Sequence, residues 1–409
     1  MTESPFDSRY SWIRLGLTLL IAVMGNVGMW SIIVILPDVA TEFGVGRAEA
    51  SMPYTLTMVG FALGNLFIGR AVDRFGIRAA MTGAGVLIAA GYALASLAPS
   101  IAILSLVQLV IGFGTAAGFG PLIADVSLWF QRYRGMAVAV AASGNYLSGA
   151  LWPLILGVLA KHYAGDEGWR WTYMVLAVLT VVLLLPLAQV LRRRVPAEAL
   201  AQAEAVANAR ARATGFSGRQ LVWLLGLAGV GCCVAMSMPQ VHIVALCVDY
   251  GFGAVAGTQM LSLMLMGGVV SRLVFGLLSD RLGGVRTLLI GSVLQALALF
   301  LYLPAGGLVS LYVVSLIFGL SQGGIVPAYA VIVREFLPAR EAGQRVGFVM
   351  MLTIVGMALG GWMSGVIYDV TGSYEWAFIN GIGWNALNIA IMVMILTRGR
   401  RAGRLSVPA

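Results

Sequence analysis

The sequence predicts an all-α membrane protein with twelve transmembrane helices in two pseudo-symmetric six-helix bundles. Three observations predict it: the composition, the spacing of the apolar runs and an internal repeat. Of 409 residues, 60% are hydrophobic and 11% charged, and the mean hydropathy is +0.91. A soluble domain is about 45–50% apolar and about 25% charged, so this balance excludes a typical cytosolic enzyme, a disordered chain and a secreted disulfide scaffold. One spanning helix takes about 20 mostly apolar residues to cross roughly 30 Å of hydrocarbon. The hydrophobic residues, about 245 in all, are enough for about twelve such helices.

The first run, 15–36, follows Arg9 and Arg14 as the apolar core of a signal peptide would. It is too long for that and lacks a small-residue cleavage site, so it reads as a retained first span. Spans two to six fall at 51–69, 79–98, 101–124, 136–160 and 171–191. A polar, Ala-rich stretch over 192–218, opening on Arg192, Arg193 and Arg194, then separates two halves. Spans seven to twelve follow at 220–248, 257–279, 286–303, 308–331, 344–367 and 375–397. The expected domains are an N-terminal bundle over 1–191, a cytoplasmic linker over 192–218 and a C-terminal bundle over 219–409. Cys232, Cys233 and Cys247 share one apolar stretch, with neither a disulfide framework nor metal-ligand spacing.

Charge sets the orientation. With both termini cytoplasmic, the termini and cytoplasmic loops hold 22 of 26 Lys and Arg, and the opposite loops hold Arg47, Lys161 and Arg170. That asymmetry follows the positive-inside rule and accounts for the net charge of +9 without nucleic acid. One cation is left over, Arg272, inside span eight.

The halves repeat. Residues 43–76 align without gaps on 250–283, with nine of 34 positions identical. The core of the match sets Gly69-Arg-Ala-Val-Asp73-Arg74-Phe-Gly76 beside Gly276-Leu-Leu-Ser-Asp280-Arg281-Leu-Gly283. Gly112 matches Gly319 at the same offset of 207. Duplicated six-helix bundles favour a carrier whose site lies between them and is exposed alternately to either side.

The motif Gly-x-x-x-Asp-Arg-x-Gly between spans two and three, followed by Arg78 and repeated between spans eight and nine, resembles the hallmark loop of the major facilitator superfamily. The resemblance covers essentially the whole chain. It implies the major facilitator fold and a gating role for Gly69, Asp73, Arg74, Gly76, Arg78, Gly276, Asp280, Arg281 and Gly283. Pseudo-symmetry then places Asp73 at the start of span eleven, near Gln344 and Arg345, and Asp280 at the start of span five, near Arg134. Within the superfamily, Ser271-Arg272-Leu-Val-Phe-Gly276 and Trp129-Phe-Gln-Arg132-Tyr-Arg134-Gly135 are similar to the monocarboxylate-porter and oxalate/formate-exchanger branch, and Arg272 aligns with its anion-binding arginine. The chain departs from animal members at Gly268, where they carry Asp, and at Trp30, where they carry Lys. Span eleven also lacks the second cation of dicarboxylate exchangers.

The polar residues inside the spans support the same expectation. An arginine in hydrocarbon faces a cavity or a partner. Arg272 lies eight residues before Asp280, about 12 Å along a helix and so near mid-membrane, and its fork matches a carboxylate. The alternative is a guanidinium bonded to backbone carbonyls or to an acid of another span. No Asp or Glu sits at mid-membrane, which argues against an organic-cation carrier. His242, after Pro239, reads first as a hydrogen-bonded structural histidine; the alternative is a proton site. Asn26, Trp30, Asn145, Tyr146, Gln322 and Tyr329 complete the expected substrate-binding set, each also able to serve as interhelical glue. Asn65 is the counterpart of Arg272 in the first half.

Gly112-Phe-Gly114-Thr-Ala-Ala117 fits a loose dinucleotide fingerprint, but it lies inside an apolar span with no strand before it. No Walker loop is present. The sequence thus predicts a non-enzymatic secondary transporter of a small organic anion, in particular a monocarboxylate, with proton symport, exchange and uniport all open. No cofactor, metal or nucleic acid is expected. The predicted setting is a monomer in the cell membrane, a bacterial inner membrane in particular. A drug exporter of the same fold is the rival reading, and a non-transporting receptor or assembly partner is the rival of another class.

Overall fold

The computed structural model describes residues 6–45, 49, 52–162, 168–197, 201, 205 and 216–401. Arg47, the side chain of Lys161 and most of 192–218 lie outside the described residues. The described chain is helical throughout, as apolar runs in a bilayer require, because only a helix or a closed barrel satisfies backbone groups away from water. Among the described residues, eleven helical stretches are long and apolar enough to cross a membrane. Span five, Arg134–His162 with Pro153 inside it, makes the twelfth.

Spans two, three, seven, eight, nine, eleven and twelve are single helices: Met52–Phe75, Ile77–Ser96, Gly218–Asp249, Gly253–Leu282, Gly284–Tyr302, Ala342–Thr371 and Glu375–Arg401. Four others are interrupted. Span one is Arg9–Gly25 and Val27–Phe43, broken at Asn26. Span four runs Ile101–Thr115, tightens to a 3-10 turn over Ala116–Gly118 and resumes as Gly120–Val126. Span six passes through a π turn, Thr180–Leu184, just before Pro186, whose ring removes a backbone donor. Span ten is Leu308–Gln322 and Ile325–Phe336, broken at Gly323 and Gly324. Breaks inside a membrane persist only where other groups take over the freed backbone bonds.

The chain divides into two compact units. One is Met1–Phe130, Ala141–Ala199 and Arg340–Met351; the other is Gln131–Val140, Leu200–Ala339 and Leu352–Ala409. The first turns of span five thus belong to the second unit, and those of span eleven to the first. The first unit's core gathers Ile35, Ile88, Tyr92, Ile111, Trp169 and Tyr173. The second packs Met238, Met264, Leu299, Tyr302, Phe318 and Phe378.

The repeat extends from sequence to packing. A Cβ on Gly112 would stand 2.1 Å from the carbonyl oxygen of Thr57, and one on Gly319 2.2 Å from that of Met264. Both members of each pair are related by the offset of 207, so spans two and four cross as spans eight and ten do. This explains the glycine run at Gly112 as close helix packing. The two hallmark loops also match: Gly76 has φ 87°, ψ 159° and Gly283 has φ 82°, ψ 159°, a conformation that is essentially glycine's alone.

Candidate functional site

In the second unit, Arg272 sits within span eight and is 3% exposed. Its Nε–H donates to the Gly323 carbonyl at 3.2 Å. Next to it, Ser271 Oγ accepts from the Gly324 amide at 3.2 Å. Consecutive residues of span eight therefore brace both backbone groups exposed by the break in span ten. The two helices touch here, because a Cβ on Gly323 would lie 2.2 Å from the Gly268 carbonyl. Gln322, one residue before the carbonyl that holds Arg272, is fully buried. Among the described residues neither end of its amide has a hydrogen-bond partner. A guanidinium has five donors in a planar fork.

In the first unit Asn65 does the equivalent work. Its Oδ1 accepts from the Gly120 amide at 3.1 Å where span four resumes, and its Nδ2 donates to the Phe61 carbonyl at 2.8 Å. Asn26 binds the same region: its Nδ2 donates to Ala22 at 2.7 Å and to Gly118 at 2.9 Å. Both amide hydrogens of Asn26 are thereby used in tying span one to span four, and its buried Oδ1 lacks a partner among the described residues. Trp30 is half-buried, with its indole against span five, where a Cβ on Gly149 would meet the ring at 2.5 Å. Trp30 Nε1 and Asn145 Oδ1 are buried atoms without a hydrogen-bond partner among the described residues. Tyr146, beside Asn145, is half-buried.

Tyr329 is fully buried and its hydroxyl donates to Asn388 Oδ1 at 2.9 Å. Asn388 in turn donates to Ser292 Oγ at 2.7 Å, and Asn385 to the Ser292 carbonyl at 2.7 Å. This network joins spans nine, ten and twelve, with the Tyr329 hydroxyl facing their packing.

His242 Nε2–H donates to the Gly361 carbonyl at 2.9 Å, and its Nδ1 meets the Tyr374 hydroxyl at 3.4 Å. Tyr374 lies between spans eleven and twelve. Burial first, then the neighbouring Asp249, Tyr368 and Asp369, push its phenol up to about 12. The Tyr374 hydroxyl therefore stays protonated at neutral pH.

The hallmark loops engage helix starts. Asp73 accepts from the amides of Gly343 at 2.8 Å and Gln344 at 2.7 Å, within the first unit. Asp280 accepts from those of Gly135 at 2.5 Å and Met136 at 3.0 Å, within the second. The first amides of a helix have no intrahelical acceptor and carry partial positive charge, so a carboxylate there is favourable. Glycines allow the approach: a Cβ on Gly69 would fall 2.3 Å from the Gly343 carbonyl, and one on Gly276 2.7 Å from Ala139 Cβ. Arg74 and Arg281 are exposed, and Arg78 donates through Nε to Gln189 Oε1 at 2.8 Å.

Sequence reasoning placed Arg14 on a surface and Arg272 alone inside. The structure corrects this: Arg14 and Arg334 are 2% and 4% exposed. The first helix starts at Arg9, so Arg14 lies over a turn inside it, where it pairs with Asp125 at 2.8 Å. Also unforeseen is a clamp in which Glu42 accepts from Trp169 Nε1 and from Arg170, while Arg170 donates to the Ser96 carbonyl at 2.8 Å and that of Ala98 at 2.9 Å. Opposite charges near the ends of different spans were the available signal.

The family model of the Major Facilitator Superfamily matches residues 18–344 and 260–409; the chain belongs to this family of membrane transporters. It is 29% identical over 324 residues to monocarboxylate transporter 13 of Bos taurus, covering 76% of this chain and 72% of that protein. It is 28% identical over 392 residues to monocarboxylate transporter 11 of Homo sapiens, covering 92% and 80%. Its fold is similar to that of the Escherichia coli transporter FucP in the outward conformation, with TM-score 0.75, 13% identity, and coverage of 95% of this chain and 99% of that one.

Proposed function

We propose that this major facilitator carries a small organic anion, a monocarboxylate, across the cell membrane, with Arg272 as the anion-binding residue. The carrying observation is the unequal pair Asn65 and Arg272. In the first unit a neutral amide braces the interrupted span; in the second a cation stands at the same position and bonds the same kind of break. Bracing alone needs no charge, and burying one costs several kcal/mol. A guanidinium matches a bound carboxylate with bidentate, charge-assisted hydrogen bonds. Gln322, buried with its amide unused among the described residues, offers a donor and an acceptor beside it.

Asn145, Tyr146 and Trp30 are further substrate-contact candidates within the first unit, while Asn26 and Tyr329 act less directly, through the helices they hold. The loops of Asp73 and Asp280 act as the gate, releasing and re-forming their bonds to helix starts as the halves rock. The protein works as a monomer with both termini in the cytoplasm, in a bacterial inner membrane. Proton symport, exchange and uniport are separated by the uptake test below, and His242 is the residue to test for proton coupling. The relatives named as monocarboxylate transporters support the substrate class.

The test is uptake of labelled monocarboxylates into proteoliposomes, with and without an inward proton gradient. Saturable uptake of a monocarboxylate, not inhibited by its neutral amide analogue, is expected. Uptake of hydrophobic cations with no response to carboxylates would instead establish the drug-exporter reading.

A further inference from the structure

A groove apart from Arg272 gathers basic side chains. At the end of the first unit that carries the Gly76 turn, a groove of about 520 Å³ is walled by the start of span three and the end of span six. Its lining includes Arg78, Arg192 and Arg194, with Thr82 and Gln189, and among the described residues contains no acidic one. Among the described residues none of these three arginines makes an ion pair. Two are held in place by neutral acceptors. Arg194 Nη2 donates to the Phe75 carbonyl at 2.9 Å, lying over Gly76, where a Cβ would come within 2.9 Å of the guanidinium. Arg78 Nε donates to Gln189 Oε1 at 2.8 Å, and Gln189 Nε2 is itself fixed by Thr82 Oγ1 at 2.9 Å. The groove is therefore a preformed cluster of cations whose remaining donors meet no carboxylate among the described residues.

The repeat supplies an internal control. In the second unit the corresponding turn is Gly283, and the next amide, Gly284, is capped by both oxygens of Glu335, at 3.0 and 3.1 Å. The corresponding amide in the first unit is that of Ile77, and Leu128 stands where Glu335 does. One copy of the fold thus supplies a carboxylate to the amide after this turn from its own chain, whereas the other has Leu128 at that position. Phase decides the source of the missing anion: Phe75, Val86 and Val190, on the elements that form the groove, are 55%, 51% and 44% exposed apolar side chains. In a membrane protein such a surface meets lipid, and a basic pocket between span ends is suited to a phospholipid head group.

We propose that this groove binds the phosphodiester of an anionic phospholipid, with Arg78, Arg192 and Arg194 donating to its oxygens and the acyl chains lying along spans three and six. The site does not depend on which substrate is carried.

The test is native mass spectrometry of the delipidated, full-length transporter titrated with phosphatidylglycerol or phosphatidylcholine, repeated in the presence of inorganic phosphate. Phosphatidylglycerol should bind in preference to phosphatidylcholine. Each arginine removed should weaken it about fivefold, corresponding to about 1 kcal/mol per basic residue near a lipid surface. The R78Q/R192Q/R194Q triple variant should lose the preference, while R219Q/R281Q/R286Q, with the same change of charge, should retain it. Because Arg192 and Arg194 are exposed and lie beyond the helix end, R192Q/R194Q keeps the test available should the triple variant not fold. Equal binding by the groove variants and the charge-matched control would overturn the site. Equal binding of the two lipids, or displacement of phosphatidylglycerol by millimolar phosphate, would overturn the assignment to an anionic lipid.

Discussion

Arg14 and Asp125 form a buried ion pair, 2.8 Å apart and 111 residues apart in the chain. Arg14 also donates to the Tyr10 hydroxyl at 3.2 Å and lies 4.7 Å from the centre of the Trp129 ring. Removing one partner leaves the other charge buried and uncompensated. Asp125→Asn should therefore destabilise the protein by about 3–5 kcal/mol. The double variant R14M/D125L should be less destabilised than the sum of its single changes. Thermal unfolding in detergent measures this, and additive losses would show that the pair is not coupled.

The Tyr329 hydroxyl is committed to Asn388, so Tyr329→Phe should act on stability. An orphaned Asn388 oxygen in the core costs about 1–3 kcal/mol, and substrate affinity should change less than about twofold, or ~0.4 kcal/mol. Calorimetric affinity and a melting curve on the same sample decide it. A large loss of affinity with unchanged stability would move Tyr329 into the substrate site.

The loops make a kinetic prediction. Asp73→Ala or Asp280→Ala removes two charge-assisted bonds to a helix start, worth about 1.5–3 kcal/mol each. Turnover should fall at least about tenfold, ~1.4 kcal/mol in the barrier, with substrate affinity largely kept. Binding and transport rates on purified variants separate the two effects. Native turnover in the Asp73→Ala protein would remove the gating role of that loop.

His242 is held between the Gly361 carbonyl and the Tyr374 hydroxyl. If it carries the coupled proton, His242→Gln should abolish accumulation driven by a pH gradient and spare exchange of labelled for unlabelled substrate. Uphill uptake equal to the native protein's would return His242 to a structural role.

Much of this architecture is legible in the sequence, for a physical reason: hydrocarbon imposes both the length and the composition of each span. The partners of Asp73 and Asp280 were reachable too, since a duplicated motif predicts duplicated contacts. What one chain cannot display is the meeting of distant residues. Arg14 and Asp125 each read as charges near a surface, and only folding makes them a pair. The breaks at Asn26 and at Gly323-Gly324 were hidden because glycine and asparagine are ordinary inside membrane helices. Tyr329 looked like a candidate for substrate until the fold supplied Asn388.

The central claim rests on Arg272, and substrate affinity measured by calorimetry on folded, monodisperse Arg272 variants tests it most directly. Arg272→Lys keeps the charge but not the fork, so affinity for the monocarboxylate should fall severely. Arg272→Ala should cost about 2–5 kcal/mol, roughly 30-fold to several-thousand-fold. A neutral amide analogue should bind the native protein poorly and distinguish little among the variants. If well-folded Arg272→Ala binds an organic anion as the native protein does, the guanidinium is only a brace for the Gly323 carbonyl and the anion site lies elsewhere.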